Sequence, residues 1–154
     1  MSETAVMSFA CELARNTGSY GSPVWAACNS VQDCTLNLEV NEADASSRGG
    51  GGFVITEAAL TKLSVDGKFL GKKSTNDLPA DIEAIRAAFF GKTALEFLAL
   101  DGPAGTAHSQ GIRATMKVFK FTRNEGLNDH VTYDFTLKPC IADNAPAWYE
   151  DAGS

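Results

Sequence analysis

The sequence is poor in the residues that chemistry usually needs. Only two histidines, His108 and His130, occur in 154 residues. They fall in loop and strand contexts with no helical ligand spacing and no thiolate motif, so a metal site built from His108, His130, Asp101 or Asp134 is not indicated. The four cysteines, Cys11, Cys28, Cys34 and Cys140, include no C-x-x-C pair and lack the density of a disulfide scaffold; reduced, buried thiols are expected. No apolar run approaches the roughly 20 residues that span a bilayer, so no membrane association is expected. No basic residue precedes Arg15, so the cationic start of a secretory signal is missing and synthesis in the cytoplasm is expected. Basic residues are also in the minority, 13 against 19 acids for a net charge of -6. That balance opposes the counterion-release grip by which basic proteins hold nucleic acid.

Catalytic and nucleotide-binding patterns are missing too. Gly67-Lys68-Phe69-Leu70-Gly71-Lys72-Lys73-Ser74 has three residues between its glycines where a phosphate loop has four, and Lys73 stands at the Ser/Thr position. Gly49 to Gly52 follows a strand without G-x-G-x-x-G spacing and opens no helix. No G-x-S-x-G elbow occurs. A Cys140/His130 nucleophile pair, or paired acids such as Glu39/Glu42 or Asp143/Glu150, has no supporting spacing. The sequence therefore predicts no enzyme, no catalytic residues, no metal and no cofactor.

What is present is strand periodicity. Met7, Phe9, Cys11 and Leu13 alternate with polar or small residues, as do Leu36, Leu38 and Val40, and the most regular run is Val131, Tyr133, Phe135 and Leu137. A further strand region is predicted from Phe53 to Val65, with Leu60, Leu63 and Val65 in the core. Asp66-Gly67 reads as a turn, with Phe69 and Leu70 in a short return strand. Thr93 to Leu100 is apolar on both parities and predicts an interior strand. Asp101 to Gly111 predicts an exposed hairpin connection. The change of parity between Ile112, Ala114, Met116, Val118 and Phe119, Phe121 predicts a β-bulge near Val118. Leu78, Ile82, Ile85 and Phe89 recur at helical spacing, giving one helix of about residues 78–90, with Asn76 or Asp77 as its cap, Pro79 in its first turn and Gly91 as its left-handed C-cap. The expectation is a single mainly β domain over 1–154, a β-sandwich or partly closed barrel with one flanking helix. It carries a long glycine-rich loop at 43–52 and a C-terminal arm at 139–154.

The order Val31-Gln32-Asp33-Cys34-Thr35-Leu36, then Asn41 to Arg48, then four glycines and Phe53, resembles the tail tube (major tail) proteins of long-tailed bacteriophages and phage-derived particles. The matching positions are Asp33, Thr35, Asp44, Ser46, Arg48 and Phe53, and the later strand, helix and turn segments follow in a similar order over most of residues 5–139. The resemblance implies a structural virion protein whose hexameric rings stack into a hollow tube. Tape measure and terminator proteins would be its neighbours, and DNA would pass without specific binding. On that reading Asp44, Ser46, Arg48, Gly49, Gly50, Phe53, Trp148 and Tyr149 are candidates for contacts between subunits. The polar strand face Thr35, Asn37, Glu39 and Asn41, which carries no positive charge, is a candidate lining of the bore. Two other readings stand beside this one. The first is another ring component, a tail terminator or the tube protein of a contractile injection machine; the second is a carbohydrate- or small-ligand-binding module using Tyr20, Trp25 and Trp148.

Overall fold

The computed structural model describes residues 12–71, 79–102, 105, 107–127 and 130–151. Its strands are β1 (Glu12–Asn16), β2 (Trp25–Ala27), β3 (Val31–Asp44), β4 (Thr56–Leu70), β5 (Leu95–Leu100), β6 (Gln110–Asn124), β7 (Thr132–Pro139) and β8 (Ala147–Glu150), with one helix, α1 (Ala80–Gly91). All the strands belong to one antiparallel sheet in the order β2-β1-β5-β6-β7-β4-β3, and β8 pairs with β6. The expected mainly β domain with a single helix is what is found, as one sheet whose hydrogen bonding does not close into a barrel. Its two ends nevertheless come together, because β2 and β3 lie at opposite ends of the order and only residues 28–30 join them. Such a link spans at most about 14 Å, so the sheet curls around a single core.

That core shows why the strands read so clearly in sequence. Leu13, Val65, Phe69, Phe97, Ile112, Ala114, Met116, Val118, Tyr133, Phe135 and Leu137 all bury on the concave face, and Ile82, Ile85 and Ala88 of α1 pack into them. β5 lies between β1 and β6 and buries Phe97 on one face and Leu98 and Leu100 on the other, as its two-sided apolar pattern predicts. The bulge also stands where the parity change puts it: Val118 pairs with Leu137 and Lys120 with Thr136, leaving Phe119 unpaired.

Other expectations are corrected. Asp66-Gly67 is no turn, since β4 runs unbroken from Thr56 to Leu70. Gly67 serves packing instead: a Cβ there would lie 2.3 Å from Cζ of Phe135, the residue directly opposite on β7. Leu60 is 77% exposed and not core, because it lies beyond the last residue of β4 that pairs with β7. The connection after Leu100 ends at Ser109, and Gly111 lies within β6; its missing Cβ allows the Ala99 carbonyl to approach. The helix ends one residue later than expected, with Lys92, not Gly91, in the left-handed conformation at φ 54°; its N–H bonds to the Ala88 carbonyl. Cys28 is buried but Cys34 is exposed, because Cys34 lies on the outermost strand. Pro79 stands at the N-cap of α1 and not in its first turn, in the place expected for Asn76 or Asp77; Cys11, Leu78, Asn76 and Asp77 lie outside the described residues.

Candidate assembly surface

β3 and β4 are far longer than the strands beside them. β4 pairs with β7 only from Val65 to Leu70, whereas the β3–β4 ladder continues outward to Asp44 and Thr56. The two strands therefore leave the body as a two-stranded arm extending about 25 Å. Its apolar side chains have little to cover them: Leu38 and Val40 on β3 are about half exposed, and Phe53 and Val54 at the tip are 74% and 82% exposed. β3 is also the end strand of the sheet, so one whole edge of its 14 residues has no partner strand among those described. A long, flat, partly apolar edge of this kind is a template for another chain.

The tip is closed by the residues the sequence singles out. The Asp44 carboxylate accepts the Ser46 N–H at 2.8 Å, and the Ser46 side chain first and this N–H second hold it below its ordinary pKa; Ser46 Oγ accepts the Ile55 N–H at 2.9 Å. The Ala45 N–H bonds to the Ile55 carbonyl at 2.9 Å. Asp44 and Ser46 thus shape the loop from within. Arg48 opens a short 3-10 turn, Arg48–Gly50, and makes no ion pair with Asp44 or any other described residue. Gly51 and Gly52 take φ values of 67° and 85°, which favour glycine. Gly49 and Gly50 form the turn itself. The loop thus has a defined path and presents Arg48, Phe53 and Val54 to solvent.

On the convex face the register places residues that sequence reasoning missed. Thr35, Asn37 and Glu39 do share this face, but Asp33 stands opposite Lys68 and Glu39 opposite Lys62 on β4. Lys68 is in turn opposite Asp134, and Thr136 opposite Lys120. The polar face is therefore mixed in sign once neighbouring strands are included. Reading Lys62, Ser64, Asp66 and Lys68 as one alternating run would have revealed it; the apparent Asp-Gly turn interrupted that run.

The C-terminal segment docks on its own subunit. β8 pairs along Gln110–Arg113, Tyr149 meets the Trp25 ring edge-on at 6.4 Å, and Trp148 Nε1 donates to Gln110 Oε1 at 3.0 Å. Beyond it Asp151 exchanges backbone hydrogen bonds with His108 and Ser109. Trp148 remains 58% exposed, so it is the more available of the two aromatics for a neighbour. Tyr20 and Trp25 flank Arg113, whose guanidinium lies 3.9 Å and 5.2 Å from their ring centres and pairs with Glu96 at 2.9 Å. A separate open cleft is lined by residues that include Arg15, Cys28 and Asp81. Among the described residues no group of His, Cys, Asp and Glu could hold a metal ion, and no helix is long and apolar enough to cross a membrane.

The structure is similar to that of the SPP1 tail tube, with a TM-score of 0.73 at 11% identity over 96% of this chain and 81% of that one. It is similar to a chain of the virion of a native gene transfer agent particle, TM-score 0.65 at 12% identity over 94% and 99% of the two chains. The tail of the empty gene transfer agent particle, refined with C6 symmetry, matches at 0.65 and 15% identity over 96% and 100%. A chain of the anti-feeding prophage baseplate matches at 0.56 and 10% identity over 97% and 98%. No protein-family model and no curated protein matches the sequence. The chain thus has the tail tube fold, a likeness in structure with little likeness in sequence.

Proposed function

We propose that this chain is a structural subunit, not an enzyme, that assembles into stacked hexameric rings forming the hollow tail tube of a phage or phage-derived particle. The observation that carries the reading is the β3–β4 arm: a strand pair too long for its own sheet, with an open edge and uncovered Leu38, Val40, Phe53 and Val54. An isolated subunit gains nothing from such an arm, whereas a neighbour in the ring covers the edge and a subunit in the next ring covers the tip. The fold it shares with tail tube structures, one refined with C6 symmetry, supports the same assembly.

Within it, Arg48, Gly49, Gly50 and Phe53 form the tip that meets another subunit, with Asp44 and Ser46 holding its shape. Trp148 and Tyr149 offer a second contact on β8, which pairs with the first residues of β6. The convex face that carries Thr35, Asn37, Glu39 and Asn41 lines the bore, and helix α1 lies on the far side of the sheet. DNA passes through without sequence readout, and tape measure and terminator proteins meet the tube inside and at its end. Replacing Arg48 with Glu tests the arrangement. Tube formation should fail while circular dichroism shows a folded subunit; an undiminished tube yield would remove Arg48 from the contact. The tube protein of a contractile injection machine is the second reading, favoured by the likeness to the anti-feeding prophage baseplate.

A further inference from the structure

A cleft of about 250 Å³ opens where β1, the 28–30 link and the start of α1 meet, and Arg15, Cys28, Ser30, Ala80 and Asp81 are among the residues that line it. Arg15 stands opposite Phe97 of the core, so its side chain lies on the concave side of the sheet, toward the helix. Nothing in the fold accounts for its guanidinium. The Nε atom is buried without a hydrogen-bond partner, and Arg15 forms no ion pair with a described residue. A buried donor left without an acceptor is costly. Among the described residues Arg15 Nε is the one buried side-chain nitrogen or oxygen in that position. The other partly buried arginine, Arg113, has Glu96 at 2.9 Å.

The surroundings of that guanidinium favour a negative group. The first N–H groups of a helix have no intrahelical acceptors, and the 12-residue α1 starts at the cleft wall with its positive end. The Cys28 thiol, pushed up to about 12 chiefly by burial, is uncharged at neutral pH. Asp81 is the acid in the lining, but both its oxygens are engaged: Oδ2 accepts the Ser30 N–H and Oδ1 the Ile82 N–H, each at 3.0 Å. Glu12, near enough to act on Cys28, has the opposite parity to Arg15 on β1 and belongs to the other face of the sheet. We propose that this cleft is a binding site for a single carboxylate group. The two oxygens of a carboxylate match the Nε–H and Nη–H fork of an arginine. The volume lies below the roughly 300–1,000 Å³ of clefts that take drug-sized ligands, so it suits one acidic side chain or one small acid. A second copy of this chain offers such a group. Glu42 and Glu57 are exposed on opposite faces of the arm, across from Ala58 and Ala43, and neither makes an ion pair with a described residue. A free dicarboxylate would meet the same donors. Only the second-copy source rests on the proposed tube.

Glutarate, titrated at constant ionic strength into the monomeric full-length protein and followed through the amide resonances of Ser30 and Ala80, tests the site. The shifts should saturate in the wild type and be absent with the uncharged diamide of the same acid. Arg15→Gln should need at least about tenfold more glutarate, the worth of one charge-assisted pair. Arg15→Lys, which keeps the charge and loses the fork, should fall between the two. Without glutarate, Arg15→Gln should unfold in urea no earlier than wild type; a guanidinium with a purely structural role would give the reverse. Sedimentation and electron microscopy identify the source of the carboxylate. If it comes from a second copy, Arg15→Glu abolishes tubes, and Glu42→Arg or Glu57→Arg in the same chain restores them. Tubes indifferent to Arg15→Glu, with glutarate bound, assign the site to a free acid. The proposal falls if Arg15→Gln binds glutarate as the wild type does, or if glutarate fails to saturate and no charge reversal restores tubes. A wild type that saturates with glutarate and never forms tubes overturns the tube and leaves the site standing.

Discussion

Gly67→Ala should destabilise the subunit although alanine generally suits a strand better than glycine. The added Cβ would lie 2.3 Å, 2.7 Å and 3.0 Å from three atoms of the Phe135 ring. That ring cannot move aside, because Phe135 is buried and stacks on Phe69 at 4.6 Å between ring centres. Glycine-to-alanine changes in a strand interior otherwise gain about 0.5–1 kcal/mol, and overpacking a close-fitted core costs about 1–3 kcal/mol. The clash with an immobile ring lies at the upper end of that range, so the net loss should be about 2 kcal/mol. With a urea slope of about 2 kcal/mol/M, the unfolding midpoint falls by about 1 M. Gly21→Ala, whose Cβ would meet nothing within 4 Å, is the control and should shift the midpoint little. Equilibrium urea unfolding followed by circular dichroism reads both. A Gly67→Ala midpoint equal to or above wild type would refute the claim that Phe135 fills the glycine's side-chain space. Because Gly67 lies two residues from Val65, where β4 parts from β7, the same variant should also disturb the root of the arm.

Removing Arg113 leaves Glu96, itself only 10% exposed, without its guanidinium partner; Arg113→Ala should cost about 3 kcal/mol, and Arg113→Met combined with Glu96→Leu should cost clearly less, as thermal or urea unfolding would show. Cys28 and Cys34 should differ in thiol titration at neutral pH. Burial first, and the nearby Asp81 second, push Cys28 up to about 12, so it stays protonated and inert while exposed Cys34 reacts. The unfolded chain releases the Cys28 proton from about pH 9; the stability this thiol supports is therefore complete below pH 9 and is lost as pH rises toward 12, which Cys28→Ala should lessen. The Asp44 carboxylate, stabilised by Ser46, contributes above its ordinary pKa and loses that contribution on acidification. Tube assembly should accordingly weaken as pH falls through the carboxylate range, measurable by sedimentation.

The strands legible in the sequence were those with strict alternation, above all Val131 to Leu137, which faces the core, and Leu36 to Val40, of which only Leu36 packs against it. The bulge at Phe119 was legible for the same reason, since an extra residue leaves its mark on parity. Gly67 was misread because Asp-Gly serves turns and close packing alike, and only the ring opposite distinguishes them. Leu60 was misplaced because hydrophobicity alone does not reveal that a strand has outrun its sheet. Of the candidate contacts, the tip residues from Asp44 to Phe53 do gather in one loop. Trp148 and Tyr149 do not join that loop; they lie on β8, bound to β6 of their own chain. The mixed charge of the convex face was hidden because its members come from several strands, and register between distant strands is not written in any one of them.

Negative-stain electron microscopy of the purified protein at high concentration tests the central claim most directly. Self-assembly through the β3–β4 arm predicts rings or stacked tubes with a central hole. Monodisperse subunits with no ring or tube at any concentration would contradict it.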